Sequence, residues 1–296
     1  MSSKTSKAKP SHPAAIVDIG TNWVKMAAME PTRHGLAISR LHLERFDSIG
    51  PEVSGAITRA SQQLKFPRGP VLGCLPRQMV NIRILELPSV DAEEIADMVD
   101  LQVGKQTPYS REEIVSDYRI IGSGRKGYTR VMLAIVQRNV LRERFYMLEE
   151  AGLDVAGMSI SSEGLFNWYT QAAARLGGGA PTVLIDVDSF YSDLMVVANG
   201  SLCFSRSILV GADQLLEDYD RWKDKLCREA QHSLETLAGE MPDVHPERVV
   251  LSGAASRIDG LDRDLGRHLD LESTATSCLD DVHRFPDQPV LSEARY

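Results

Sequence analysis

A short segment near the start of the chain has the residue types that bind a phosphate and a metal ion. The apolar pair Ile16-Val17 leads to Asp18, and Gly20 opens the turn that follows. Because glycine has no side chain, the backbone there can approach a phosphate closely and donate N–H bonds. Asp18 could hold a hydrated Mg²⁺, which prefers carboxylates and water. Three polar residues complete this candidate loop: Thr21, Asn22 and Lys25.

The same pattern recurs at residues 184–189, with one change. Apolar residues lead to Asp186, but Asp188 stands where the first segment has its glycine, and Ser189 follows. A third apolar segment, residues 249–252, ends at Gly253 and Ala254. Two strand–carboxylate turns and a late strand–glycine turn form a layout that can hold a nucleotide. Each segment taken alone also fits an ordinary β-hairpin.

Periodicity and turn residues predict the elements that must position these turns. Alternating apolar residues predict strands in the first half over 15–19, 24–29, 36–46, 71–75, 80–87, 115–121 and 129–136. Asp91 followed by Glu94 has the spacing of a capping box and predicts a helix start, with Ile95 and Val99 on its buried face. Further helices are predicted over 53–64, 141–153 and 165–176.

The run Gly177-Gly178-Gly179 breaks both periodicities and predicts a domain boundary. Beyond it, Asn199-Gly200 is a strong hairpin signal between two strands. The pattern predicts strands over 182–187, 193–198, 202–209 and 248–251, and helices within 214–240 and over 258–269. The tail from residue 272 is weakly patterned.

In this order and spacing, the motifs resemble those of the PilM family of type IV pilus assembly proteins, relatives of the cell-division protein FtsA and of actin. The resemblance runs from about Ala15 to Leu269. Residues 18–25 resemble the family's first phosphate loop, and residues 183–211 its second phosphate hairpin. Residues 248–253 are similar to its adenosine-binding strand and turn. Leu87-Pro88, the helix after Asp91, Pro108 and Asp117-Tyr118 resemble its inserted subdomain.

The resemblance implies an α/β fold of the actin-like (ribonuclease H-like) class. It implies two domains around a nucleotide cleft, with an inserted SHS2-like subdomain over about 77–150. We expect a disordered tail over 1–13, an N-terminal domain over 14–176 and a reduced C-terminal domain over 180–296. ATP and Mg²⁺ are the cofactors that the family implies, with Glu229 as a candidate ribose contact.

The family also implies a partner and a location. PilM proteins lie at the inner face of the cytoplasmic membrane and bind the cytoplasmic N-terminal segment of PilN beside the inserted subdomain. Here that groove should involve residues from about 80 to 136. The partner would link this chain to the other components of a pilus or secretion machine.

Two departures from the family pattern put nucleotide binding in doubt. A carboxylate at Asp188 would face the triphosphate, and its Cβ would block close backbone approach. Two like charges about 4 Å apart repel by about 4 kcal/mol at an effective dielectric constant of about 20. That energy corresponds to roughly a thousandfold loss of affinity. A metal ion bridging Asp188 and the phosphates would instead make the interaction favourable. Ala254 replaces a second glycine and would crowd a base or ribose.

Composition excludes several other classes. The net charge of −8 argues against a general surface for nucleic acids or anionic membranes. The four cysteines are scattered without a CxxC pair, as in a reducing cytoplasm. No apolar run reaches the roughly 20 residues of a membrane helix.

Three functional hypotheses remain at the level of sequence. The favoured hypothesis is a PilM-like scaffold with a degenerate nucleotide cleft and no catalytic residues. The intact first loop supports an alternative, an active actin-like ATPase or small-molecule kinase. A second alternative is the cytoplasmic part of a GspL-like type II secretion protein. GspL normally continues into a membrane helix, and this sequence reaches Tyr296 without one.

Overall fold

The computed structural model describes residues 15–32, 35–47, 51–65, 69–176 and 178–277. The tail expected over residues 1–13 lies outside these ranges. Within them, no helix is long and apolar enough to cross a membrane.

Within those ranges the chain forms thirteen strands and seven α-helices, numbered here in chain order. The strands are β1 Ala15–Ile19, β2 Trp23–Thr32, β3 Gly35–Arg45, β4 Val71–Leu75, β5 Asn81–Leu87, β6 Ile114–Ser123, β7 Thr129–Gln137, β8 Val155–Ile160, β9 Thr182–Val187, β10 Ser192–Ala198, β11 Ser201–Ile208, β12 Arg248–Gly253 and β13 Glu272–Ala275. The helices are α1 Pro51–Leu64, α2 Ala92–Val103, α3 Arg138–Glu150, α4 Ser161–Ala172, α5 Ala212–Glu217, α6 Tyr219–Glu240 and α7 Leu261–Leu269.

The chain divides into two compact units. Of the residues that the structure describes, the first unit contains those up to Cys74 together with Arg144–Ser159, and the second contains Leu75–Glu143 and those from Ile160 to Ser277. The sheet of the first unit has the strand order β3-β2-β1-β4-β8. Alternate residues of β1 (Ala15, Val17 and Ile19) are buried and join Val53 and Ile57 of α1 in one apolar cluster.

The second unit has a sheet with the order β11-β10-β9-β12-β13. In each of the two sheets, the first strand in sequence pairs antiparallel with the second and parallel with a later strand (β4 or β12). The central strand β9 is apolar on both faces, as expected of a strand covered on both sides. Val183, Ile185 and Val187 of β9 pack in one cluster with Leu226 of α6 and Leu261 of α7.

A separate three-stranded antiparallel sheet, with the order β5-β7-β6, is inserted between β4 and β8. Helix α2 covers one face of this sheet, where Ile95 and Val99 pack with Val131 and Leu133. We call this sheet and α2 the inserted subdomain. Its other face carries the alternate residues of β5 and β7.

The predicted start of α2 is confirmed, with one difference in the cap. Asp91 Oδ1 accepts hydrogen bonds from the N–H groups of Glu93 and Glu94, at 2.9 and 3.1 Å. The Glu94 carboxylate accepts a hydrogen bond from the Ser89 hydroxyl instead of the Asp91 N–H. The Asp91 N–H donates to Ser89 Oγ. The reciprocal half of the capping box therefore runs through Ser89.

Other local predictions had mixed outcomes. The hairpin at Asn199-Gly200 is confirmed, with φ of 53° and 70° at its two central residues. The helix predicted within 214–240 is confirmed as α6, and Asp218, which ends the short helix α5, caps α6 through the Arg221 N–H. Strands β8 and β13 were not predicted.

Candidate functional site

The first candidate loop is a tight turn between β1 and β2. The Gly20 N–H donates to the Trp23 carbonyl at 2.9 Å, which closes the turn. Asp18 and Lys25 lie opposite each other on the two strands, and Lys25 Nζ is 3.6 Å from Asp18 Oδ2. The Asn22 carbonyl accepts the Phe46 N–H. All five predicted residues of this loop therefore lie at one turn, where Lys25 offsets the charge of Asp18.

The second candidate loop repeats this turn between β9 and β10. The Asp188 N–H donates to the Tyr191 carbonyl at 2.8 Å, as Gly20 does to Trp23. The carbonyls of Asp188 and Ser189 accept the N–H groups at the start of α5, at 2.8 and 3.0 Å. The N–H of Asp188 is therefore used inside the turn, and the loop is tied to α5 by its carbonyls.

Glycine is not required by the backbone at position 188. Among the residues that the structure describes, the only non-glycine residues with positive φ are Lys65, Asn199 and Asp270. Neither Gly20 nor Asp188 adopts a positive φ. The replacement of glycine by Asp188 therefore causes no left-handed strain. The predicted repulsion between its carboxylate and a bound phosphate would weaken ligand binding without straining the fold.

The third candidate turn packs directly against the second. Gly253 has φ of 80°, and a Cβ there would lie 2.4 Å from the Val187 carbonyl oxygen. The Ser252 hydroxyl donates to Asp186 Oδ1 at 2.5 Å. Asp186, Ser252 and Gly253 therefore meet where β9 pairs with β12, and glycine is required at position 253. Ala254 follows as an exposed residue that begins a 3-10 turn.

Glu229, the candidate ribose contact, lies on α6. Its carboxylate is 3.2 Å from the Arg206 guanidinium of β11. This ion pair is partly exposed on both sides, so each partner stays accessible to solvent. Glu229 is the one member of the predicted set in the second unit that lies away from the strand ends.

A buried network that the motifs did not indicate lies behind the hairpin of β10 and β11. The Arg77 side chain is 8% exposed. It donates to the Val80 carbonyl at 2.7 Å, and to the hydroxyl and carbonyl oxygens of Ser205, both at 2.9 Å. Arg77 therefore joins the residue before β5 to β11.

The Asp193 carboxylate of β10 belongs to the same network. It accepts hydrogen bonds from the Ser161 and Ser207 hydroxyls at 3.1 and 3.2 Å. Burial raises the pKa of Asp193 to about 7, and the neighbouring charge of Asp186 adds to the increase. The hydrogen bonds from the two serines and the charge of Arg77 act in the opposite direction. Burial also lowers the pKa of Arg77, and Asp193 opposes that change.

A cavity of about 1000 Å³ lies within the second unit, beside this network. One wall is the uncovered face of the inserted subdomain, with Ile82, Ile84 and Arg130. The other wall is β11, including Phe204 and Ser205. Residues 240–244, at the end of α6, also line it. Strands β5 and β11 are the outermost strands of their sheets, so both walls include a sheet edge.

Comparison with known proteins identifies the family. The family model described as type IV pilus assembly protein PilM matches residues 16–243. The chain belongs to the PilM family. The resemblance inferred from the motifs is thereby confirmed.

Solved structures support the fold of this PilM-family chain. A PilM–PilN type IV pilus biogenesis complex has a TM-score of 0.80 at 17% identity, covering 97% of this chain and 94% of that one. A Bacteroides thetaiotaomicron protein with an actin-like ATPase fold has a TM-score of 0.53 at 12% identity, covering 95% and 93%. The predicted actin-like α/β fold is therefore confirmed.

A likeness to the cytoplasmic domain of EpsL, an inner-membrane component of the Vibrio cholerae type II secretion system, is weaker. Its TM-score is 0.47 at 11% identity, with 81% of each chain covered. A likeness of this size carries no argument for the GspL-like alternative.

Sequence reasoning about this PilM-family chain missed Arg77 and Asp193. A signal was present for Asp193, since a carboxyl in the otherwise apolar strand β10 needs polar partners when buried. No local signal existed for Arg77. It lies in a 3-10 turn, and its partner Ser205 is 128 positions away.

Proposed function

We propose that this protein is a PilM-type scaffold that binds the extended cytoplasmic N-terminal segment of a PilN-like membrane protein. The observation that carries the proposal is the cavity beside the inserted subdomain. The similar solved PilM–PilN complex supports a PilN-like partner. Through this partner the scaffold would associate with the inner face of the cytoplasmic membrane and with other components of a pilus or secretion machine.

The lining of the cavity supports an extended peptide as its occupant. Strands β5 and β11 are outermost in their sheets, so each has backbone N–H and C=O groups without a partner strand on one side. Such edges bind extended segments by main-chain hydrogen bonds, and adjacent pockets select side chains. Ile82, Ile84 and Phe204 supply apolar contact in this cavity.

The nucleotide site is the second part of the proposal. We infer that the scaffold does not depend on ATP, because Asp188 brings a carboxylate to the second loop. The turn hydrogen bond of the Asp188 N–H is the same as that of Gly20, so the inference depends on the carboxylate alone. Asp18, Gly20, Thr21, Asn22 and Lys25 remain the candidate half-site for ATP and Mg²⁺, with Asp186, Ser189, Gly253, Ala254 and Glu229 as candidates in the second unit.

The proposed binding site can be tested with one peptide and two matched variants. The probe is a synthetic peptide with the cytoplasmic N-terminal sequence of a PilN-like protein from the same organism, titrated by calorimetry. We expect binding in the micromolar range. Ile84→Thr should weaken it by about tenfold, because about 1.4 kcal/mol of apolar contact is lost.

Ile120→Thr is the control for this test. Ile120 belongs to the same inserted subdomain and is 52% exposed, and it does not line the cavity. Its affinity for the peptide should stay close to that of the wild type. Absence of binding by the wild-type protein, or equal losses in the two variants, would contradict the proposal. Thermal unfolding of each variant checks that the inserted subdomain remains folded.

A further inference from the structure

The charges that line the cavity are separated into two groups. Arg130 lies on the uncovered face of the inserted subdomain, Arg83 lines the cavity from the edge strand β5, and Glu240 and Asp243 lie at the end of α6. None of these four side chains forms an ion pair or a side-chain hydrogen bond with another residue in the part of the chain that the structure describes. The cavity therefore has a basic side and an acidic side.

The acidic side chain on the same wall is neutralised, which leaves the basic side with a net positive charge. Glu86 lines the same wall, but its carboxylate accepts the Arg125 N–H at 2.7 Å and lies 3.5 Å from Arg125 Nε. Arg77 lies behind the wall, where it donates hydrogen bonds to Ser205. Burial lowers the pKa of Arg77, and the charge of Asp193 opposes that change. The charge of Arg83 also lowers the pKa of Arg77.

The positive charge of the basic side is opposite in sign to the net charge of the chain. The whole chain carries a net charge of −8, so an unneutralised pair of arginines is a local departure from its surface charge. Arg130 is only half exposed, and a charge with reduced access to water interacts more strongly with a ligand than an exposed one. Arg130 therefore contributes more to ligand selection than the exposed Arg83.

We propose that the cavity selects an extended peptide segment that carries an acidic side chain toward Arg130 and a basic group toward Glu240 and Asp243. Successive side chains of an extended segment point to opposite sides, so one short segment can meet both walls. The apolar side chains of Ile82, Ile84 and Phe204 also line the cavity and favour an apolar residue in the same segment. This inference rests on the proposed function, since it specifies the chemistry of the segment that the scaffold binds.

Double-mutant cycles between protein and peptide test the inference. The probe is the same synthetic PilN-like peptide, together with a version whose acidic residue is changed to its amide and one whose basic residue is changed to Gln. The protein variants are Arg130→Gln and Glu240→Gln, with Arg142→Gln as the control. Arg142 is exposed on α3 and lies outside the cavity, so its variant reproduces the change in net charge made by Arg130→Gln.

We expect Arg130→Gln and Glu240→Gln each to weaken peptide binding by roughly threefold to tenfold, and Arg142→Gln to have no comparable effect. The loss with Arg130→Gln should disappear when the peptide lacks its acidic charge, and the loss with Glu240→Gln when it lacks its basic group. Equal effects of Arg130→Gln and Arg142→Gln would overturn the inference. So would full-affinity binding of a segment without either charge.

The outcomes separate this inference from the proposed function. If the wild type does not bind the peptide at all, the proposed function fails. If the wild type binds and the cycles show no coupling, the proposed function stands and the charge assignment is wrong. Since none of the three substituted side chains has an ion-pair partner among the described residues, the variants should unfold at the wild-type temperature, and this measurement accompanies each titration.

Discussion

The buried carboxyl of Asp193 shows how one residue can cost stability and still have a structural role. It lies beside Asp186 on the neighbouring strand, where Asp193 and Asp186 are directly opposite in the register. The two serine hydroxyls and Arg77 stabilise its charge, but burial and Asp186 outweigh them and raise its pKa to about 7. Near neutral pH the native protein therefore holds this carboxyl between its two protonation states.

The raised pKa of Asp193 makes stability depend on pH in a defined direction. The native state binds this proton more tightly than the unfolded state, so the contribution of Asp193 to stability is present below pH 4. It is lost as the pH rises toward about 7. Asn cannot titrate. We therefore expect Asp193→Asn to gain stability relative to the wild type between pH 5 and pH 7, by at most about 1.4 kcal/mol per pH unit.

The measurement for this prediction is the free energy of unfolding by urea at several pH values. Asp97→Asn, on the exposed face of α2, is the control. Its free energy of unfolding, plotted against pH, should run parallel to that of the wild type. A parallel curve for Asp193→Asn as well would show that Asp193 does not titrate in this range.

At the scale of elements, short-range polar contacts decide where α2 begins. Asp91 caps two N–H groups in the first turn, and Ser89 links Asp91 to Glu94. Helix α2 in turn covers one face of the inserted sheet. The cap therefore stabilises the helix that covers one face of the inserted sheet. The cavity lies at the opposite face of that sheet.

We expect Asp91→Ala to destabilise the inserted subdomain by about 1 kcal/mol, because an aspartate N-cap is typically worth that much. Hydrogen exchange of the amides of α2 would detect the loss locally. Asp97→Ala removes a carboxylate from the same helix away from its cap and should have a smaller effect. Equal exchange rates in the two variants would contradict a capping role for Asp91.

At the scale of the whole molecule, two sheets of the same topology carry two turns of the same geometry but different chemistry. The first turn has a glycine, and a lysine beside its carboxylate. The second has Asp188 at the equivalent place. Because the backbone at Asp188 does not have a positive φ, both sequences satisfy the same fold. The difference between the turns therefore concerns ligand binding.

We expect the wild-type protein to show no binding of Mg-ATP by calorimetry and Asp188→Gly to gain it, since removal of the carboxylate removes roughly 4 kcal/mol of repulsion. Adding Asp18→Ala to Asp188→Gly should abolish the gain, because the candidate Mg²⁺ ligand is lost. Micromolar binding by the wild type would contradict the degenerate site and favour the ATP-dependent alternative.

Local sequence determined much of this protein. The periodicity of β1, β4 and β9, the hairpin at Asn199-Gly200 and the cap at Asp91 depend on neighbours within a few positions, and the structure confirms them. The ordered turns at Gly20, Asp188 and Gly253 were sufficient to indicate the family, because their spacing reflects the repeated topology of the two sheets.

Tertiary structure decided the rest, because the interactions involved join distant parts of the chain. Strand β13 has little pattern of its own and forms by pairing with β12. The short helix α5 was not predicted, and it is separated from α6 at Asp218, whose side chain caps α6. Arg77 and Ser205 are 128 positions apart, and the two walls of the cavity come from similarly distant segments. Periodicity describes which face of an element is buried, and it contains no information on which distant side chain that face will meet.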